Sequence, residues 1–312
     1  MKSDNVNLTR SDQDKSNSNL LYVWGKYREY ALTSRKRKAE LTAWRYRVLI
    51  FGIVGAILGT FCQESIRLGL DNINNLKWVP LILGFSSAIT IGLATYFGKE
   101  IVNPDQEKSW IRSRSTAEAL KSEIFQFLAN VPPYDTNKKS EKLLENVEGM
   151  LEEVEDLPTE TISKEQKRKG LMTEDLTVEK YIQNRVNDQI NNYYTPRADE
   201  LKQKMEQHKK IGLSLGIIAI FFGAASSTGW TAGWIAVIST IAASITAFVY
   251  AGRYQYLIIS YQKTGDRLER LRSSWESRGK TETDTDERNE FIRECERMIS
   301  IENSGWMAEM IK

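Results

Sequence analysis

Residues 78–98 read WVPLILGFSSAITIGLATYFG, and few structures can hold such a stretch. It carries no charge and runs for about 20 residues. At about 1.5 Å rise per residue it would cross a bilayer core as one helix. A similar stretch recurs at 230–252, and each has an apolar partner just upstream, at 48–62 and 211–226. The partners are shorter, roughly 15 residues, near the lower limit for a span. They reach across if flanking polar residues snorkel or if the helix runs on into Gln63 or Ser227. The expected fold is an all-α membrane protein with four spans in two helical hairpins and long cytoplasmic helices.

Charge placement orients these spans. Arg35, Lys36, Arg37, Lys38, Arg45 and Arg47 precede the first hairpin; Lys202, Lys204, Lys209 and Lys210 precede the second, and Arg253 follows it. The first tip, 63–77, balances Arg67 and Lys77 with Glu64 and Asp71, and the second is little more than Ser227, Thr228 and Gly229. The positive-inside rule therefore places both termini and the middle of the chain in the cytoplasm. Trp44, Trp78, Trp230 and Trp234, with Tyr96, Tyr250 and Tyr254, fall where an aromatic belt belongs. Total charge says less: 43 Lys+Arg against 41 Asp+Glu argues against nucleic-acid binding.

Outside the spans, helical spacing runs from Tyr22 to Arg47 with no proline or glycine before Val48, so one helix should enter the membrane unbroken. Residues 1–19 are polar, lack the apolar run of a cleavable signal, and read as a disordered tail. After the first hairpin come a break at Pro104, a helix over about 106–130, Pro132-Pro133 and a helix over about 138–156. A weakly ordered linker, 157–177, precedes an amphipathic or coiled-coil helix over 178–210, which Tyr193-Tyr194-Thr195-Pro196 should interrupt. After the second hairpin, helices are expected over about 253–277 and from about Asp286 onward. Thr116–Leu120 resembles Thr264–Leu268, and the same offset pairs Leu143-Leu144, Val147 and Met150-Leu151 with Phe291-Ile292, Cys295 and Met298-Ile299. The pattern reads as an internal duplication.

No enzyme motif is present: there is no phosphate-cradling glycine loop, nucleophile elbow or His/Cys cluster. No catalytic residue, metal site or cofactor is expected. His208 is the only histidine and reads as a juxtamembrane polar residue, and Cys62 and Cys295 are not expected to pair. The spans hold no Asp, Glu, Lys, Arg or His, which disfavours a coupled transporter. They hold hydroxyls instead: Ser86, Ser87, Thr90 and Thr95 in the second span, Ser239, Thr240, Ser244 and Thr246 in the fourth. Such groups either bond back to backbone and glue helices, or line a pore and replace part of an ion's hydration shell. Ser86, Ser87, Thr90, Ser239, Thr240 and Ser244 are the pore-lining candidates. Gly55 and Gly59 in the first span and Gly212 and Gly216 in the third form GxxxG faces, for packing within a hairpin or between subunits.

The basic leading helix ending at Arg47, the closely spaced hairpin, and Trp110, Arg114, Ala117-Glu118, Leu120-Lys121 and Glu123 after it resemble the SLATT family of two-span bacterial membrane proteins. Glu302-Asn303 and Trp306 resemble that family's closing helix. The resemblance extends from about Tyr22 to Trp306 and divides the chain into two SLATT-like units: 20–156, with spans near 48–62 and 78–97, and 178–312, with spans near 211–226 and 232–251. Two features depart from the family pattern: the unit occurs twice, and no recognisable sensor domain is fused to it. The resemblance implies an oligomeric pore in a bacterial inner membrane, acting in conflict or antiviral defence beside enzymes that make nucleotide second messengers. Its partners would be the lipid bilayer, copies of itself, and a nucleotide second messenger or partner protein. The alternative is a non-conducting membrane anchor or sensor whose cytoplasmic helices dock a partner.

Overall fold

The computed structural model describes residues 10–225, 231–279 and 284–311, and no strand occurs among them. Ten α-helices are described: α1 (Arg10–Arg67), α2 (Trp78–Glu100), α3 (Pro104–Leu128), α4 (Lys139–Glu152), α5 (Lys164–Arg168), α6 (Val178–Tyr181), α7 (Thr195–Ala224), α8 (Ala232–Ala251), α9 (Tyr254–Ser277) and α10 (Thr285–Ile311). Two π-helical turns, Ile182–Val186 and Gln189–Tyr194, join α6 to α7. They take the place of the interruption expected before Pro196. Proline has no N–H for the backbone ladder, and wider turns before it keep the chain helical where a break was anticipated.

The chain separates into two compact units. One comprises Met1–Lys38, Lys108–Asp199 and Leu257–Lys312; the other comprises Ala39–Glu107 and Glu200–Tyr256. The division therefore runs across the two SLATT-like units read from the sequence and groups apolar helices with apolar helices.

In the first unit the core is conventional. Val23, Ile111, Leu120, Ile124, Leu143, Val147, Val178, Val186, Leu268 and Ile292 are fully buried. Helix α3 starts where its sequence permits: Pro104 takes the first position, the Asn103 carboxamide accepts from the Gln106 N–H at 2.9 Å, and Asp105 and Glu107 sit in the positive first turn. Two expectations differ here. Helix α1 begins at Arg10, inside the stretch expected to be disordered; Leu20 is buried, and the Asn19 carboxamide donates to Ser140 Oγ at 2.8 Å. The stretch 157–177 also packs rather than hanging loose. Leu157, Ile162 and Leu176 are buried, the Leu176 N–H donates to the Leu128 carbonyl at 2.7 Å, and the Trp24 indole donates to the Lys169 carbonyl at 3.3 Å. A capping box at Ser163 and Gln166 holds α5. Scattered apolar residues, too few to show a period, do the anchoring.

The second unit reverses the usual exposure. Leu81, Ile82 and Phe85 on α2 and Ile220 and Phe221 on α7 are at least 60% exposed. Among the described residues, three helical stretches are long and apolar enough to cross a membrane: Lys15–Arg67, Trp78–Glu100 and Gly233–Ser277, the last running through α8 into α9. The first of these carries the expected passage from basic helix into span without a break. The apolar part of α7, from Ile211 to Ala224, covers only about 20 Å against a hydrocarbon core of about 30 Å. Ser226, the tip Ser227–Gly229 and Trp230 lie outside the described residues.

Candidate functional site

The first hairpin closes on its glycines. A Cβ on Gly55 would stand 2.6 Å from Ile91 Cγ1 and 2.9 Å from Thr90 Oγ1, and one on Gly59 would stand 3.1 Å from Ser87 Oγ. The missing side chains let α2 approach the α1 backbone closely enough for the Ser87 hydroxyl to donate to the Gly55 carbonyl at 2.7 Å. Toward the tip, the Cys62 thiol donates to the Pro80 carbonyl at 3.2 Å. At the opposite end Trp44 packs on Phe97, with ring centroids 4.6 Å apart. Helix α1 also meets α8, through Tyr46 on Phe248 at 4.7 Å and Phe61 on Trp234 at 4.9 Å.

The hydroxyl candidates occupy several environments. Ser87 is buried in the hairpin contact. Thr90 is half-buried and donates to the Ser86 and Ser87 carbonyls, and Ser86 is half-buried beside it. On α8, Ser239 and Thr240 are exposed and Ser244 is half-buried. Thr240 donates to Ala236 and Ser244 to Thr240, each at 2.8 Å. A hydroxyl that donates to its own helix keeps lone pairs for water or a cation. Gly212 and Gly216 differ from Gly55 and Gly59: nothing lies within 4 Å of a Cβ placed on either. The first GxxxG face is thus filled within its hairpin, and among the described residues the second is open.

The other unit holds a buried ionic cluster. Arg185, in the first π turn, has no solvent exposure. Its guanidinium donates to both carboxylate oxygens of Glu296 on α10, Nε to Oε1 at 2.9 Å and Nη2 to Oε2 at 2.8 Å. The Tyr181 hydroxyl donates to Glu296 Oε1 at 2.9 Å. Nη1 of Arg185 faces Glu118 Oε2 of α3 at 3.8 Å, beyond hydrogen-bond reach. Beside it, the Arg114 guanidinium stacks 4.0 Å from the Trp306 ring centre, donates to the Tyr193 hydroxyl at 2.5 Å, and lies 3.6 Å from Glu302. Burial opposes the Arg114 charge, yet Tyr193, Tyr261, Glu302 and Glu118 more than offset it and raise its pKa. Burial raises the Glu302 carboxyl above the ordinary range, with Arg114 opposing and Glu118 adding to the shift. Burial, then the neighbouring Arg185 charge, lowers Lys121.

Trp110, Arg114, Glu118, Glu302, Asn303 and Trp306 stand far apart in the sequence, as part of the resemblance, and meet here. Trp110 packs edge-on against Trp306 at 5.3 Å, and the Asn303 carboxamide donates to Ser115 Oγ at 2.9 Å. Arg185 and Tyr193 were missed. Their signal was present: 178, 181, 185, 189 and 193 recur at helical spacing, so Arg185 lies on the same stripe as Val178 and Tyr181. The arrangement ties α3, the π turns and α10 together through charge, and π turns within helices recur at functional sites.

No curated protein and no solved structure matches the chain. Two family models match parts of it. Residues 29–142 match a family described only as a protein of unknown function, DUF4231. The cluster draws Arg114 and Glu118 from that segment, and Arg185, Tyr193, Glu296 and Trp306 from the other. That other segment, residues 181–306, matches the first SLATT family model, described as a SMODS and SLOG-associating 2TM effector domain.

Proposed function

We propose that this protein is a membrane effector whose copies assemble into a pore in the bacterial inner membrane. The observation that carries the reading is the match of residues 181–306 to a two-span effector domain, in a chain with three long apolar helical stretches among its described residues. The spans offer no ionisable side chain, so a polar route needs walls from several copies. The open Gly212 and Gly216 face of α7 suits contact with another copy. The exposed Ser239 and Thr240 on α8 are better placed than Ser87 to line the path, because Ser87 is committed to Gly55. In this reading residues 211–226 supply a fourth span, the two hairpins arise by duplication, and both termini face the cytoplasm. A nucleotide second messenger or a protein partner triggers opening. No enzymatic step and no nucleic-acid partner belong to the reading.

One observation favours the alternative of a non-conducting anchor: the hydroxyls of Ser87, Thr90, Thr240 and Ser244 all donate to backbone carbonyls, as helix glue does. Planar-bilayer conductance of the purified protein separates the two. Discrete current steps that grow steeply with protein density support the pore, and a silent bilayer across all densities decides for the anchor. Labelling of introduced cysteines with an impermeant reagent tests topology. Modification from outside at residue 228 but not at residue 5 is expected.

A further inference from the structure

The apolar unit has two ends, and they differ in how their charges are balanced. At the tip of the first hairpin, Arg67 donates to Glu64 at 2.8 Å, and Lys77, 5.6 Å from the Trp78 ring centre, is a single cation without a carboxylate partner among the described residues. At the opposite end, side-chain contacts bring four stretches to one level. Val48 Cγ1 lies 3.6 Å from where a Cβ on Gly98 would stand, Tyr46 packs on Phe248 at 4.7 Å, and His208 stacks on Phe248 at 5.9 Å. Arg47, Lys99, Lys209 and Lys210 adjoin these contacts, and all four are exposed. None of them has a carboxylate partner among the described residues. Arg47 lies over the Trp44 ring at 4.6 Å, an arrangement that leaves guanidinium N–H groups for another acceptor. The acids of the same stretches do not fill the need: Glu107 is held by Arg45 at 2.8 Å and Glu200 by Lys204 at 2.7 Å, while Glu100 and Glu206 point to solvent without pairing to these cations.

We propose that this end of the helix group binds the headgroup phosphates of anionic phospholipids. Arg47 and Lys99 form one seat on the first hairpin, and Lys209 and Lys210 form a second at the start of the apolar part of α7. Four unpaired cations at the edge of an apolar surface attract an anionic leaflet, and each Lys or Arg near such a surface adds appreciably to binding. Their aliphatic stems lie along the acyl boundary while the charged heads reach the phosphates. The inference rests on this unit lying in the bilayer and not on pore formation, so a silent conductance trace leaves it standing.

The test uses the full chain, purified in neutral detergent and offered equal amounts of phosphatidylglycerol and phosphatidylcholine, with bound lipid counted by native mass spectrometry. Phosphatidylglycerol should be retained about tenfold or more over phosphatidylcholine. Arg47→Gln/Lys99→Gln and Lys209→Gln/Lys210→Gln should each cut that preference several-fold, and the four changes together should abolish it. Lys99→Arg/Lys209→Arg/Lys210→Arg should preserve it, which separates loss of charge from loss of fold. Lys142→Gln, on α4 in the other unit, should leave it unchanged. Equal retention of both lipids overturns the proposal, as does a preference indifferent to the four changes. Displacement by glycerophosphate as effective as by the intact lipid overturns it in favour of a soluble anion.

Discussion

The two units solve the placement of polar groups in opposite ways. The unit containing α3 and α10 holds a charge pair inside its core, with Arg185 and Glu296 sealed from solvent and bonded to each other. The unit containing α2 and α8 keeps charge at its ends and turns leucine, isoleucine and phenylalanine outward. In water the second arrangement would be unstable; in lipid the first would gain nothing from its buried aliphatic core. Exposure by itself is therefore no measure of a misplaced residue. What marks the environment of each unit is which kind of group has been given an internal partner.

The sharpest way to break this contrast is to unbalance the buried pair. Arg185→Ala or Glu296→Ala leaves an uncompensated buried charge and should cost about 3–5 kcal/mol. Urea unfolding followed by tryptophan fluorescence would show it, since Trp110, Trp275 and Trp306 are buried in this unit. Replacing both partners by apolar residues, Arg185→Met with Glu296→Leu, should restore most of the loss. If the single changes are silent, the pair is not sealed as described.

In the apolar unit the largest effect should come from a glycine and not from a charge. Gly55→Leu drives a side chain into Ile91 and Thr90 and should cost about 1–3 kcal/mol, read as earlier thermal unfolding of detergent-solubilised protein. Gly216→Leu should leave the isolated chain unchanged, because nothing stands near it, and should lower only the oligomer fraction in native mass spectrometry. Equal destabilisation by both would mean that α7 is packed within its own chain.

Smaller again is the hydroxyl contrast. Ser87→Ala removes the bond to Gly55 and should cost about 0.6 kcal/mol, at most about 1.7, with single-channel conductance unaltered. Thr240→Leu should do the reverse, lowering conductance with little change in stability. The smallest effect concerns Glu302. Its folded pKa is raised, so the native state holds a proton that the unfolded chain has already lost. Its contribution to stability is complete below the ordinary carboxylate range and is lost as pH rises through the raised folded value. Glu302→Gln should therefore show a flatter decline in stability above pH 4.5 than the parent protein.

Long apolar runs and the helix start at Pro104 were legible in the sequence because each acts locally, whereas the break expected before Pro196 was not there. The uncharged stretch became α2, the basic helix passed unbroken into α1's apolar half, and Pro104 opened α3. Residues 10–19 and 157–177 were not legible, since polar composition suggests disorder while single contacts such as Leu176 to Leu128 and Asn19 to Ser140 hold them. The grouping of helices into units was hidden for a related reason. It depends on partners more than a hundred positions apart, and neither period nor composition reports those. Arg185 was hidden by its type: a charge on an apolar stripe reads as a flaw in the pattern until its counter-ion on α10 is seen.

The two π turns carry a consequence for the length of the chain. A bond from i to i+5 holds one more residue per ring than the α-helical bond from i to i+4. Between Tyr181 and Pro196 the backbone therefore tolerates a residue count that a regular helix would not. Deleting Asn191 or Asn192, polar residues near the end of the stretch, should therefore let the segment relax to a regular helix while the residues on either side keep their facing. The same deletion inside α3, where every turn is already α-helical, would swing everything beyond it by about 100°. Loss of one residue should thus be far better tolerated in the π turns than in α3.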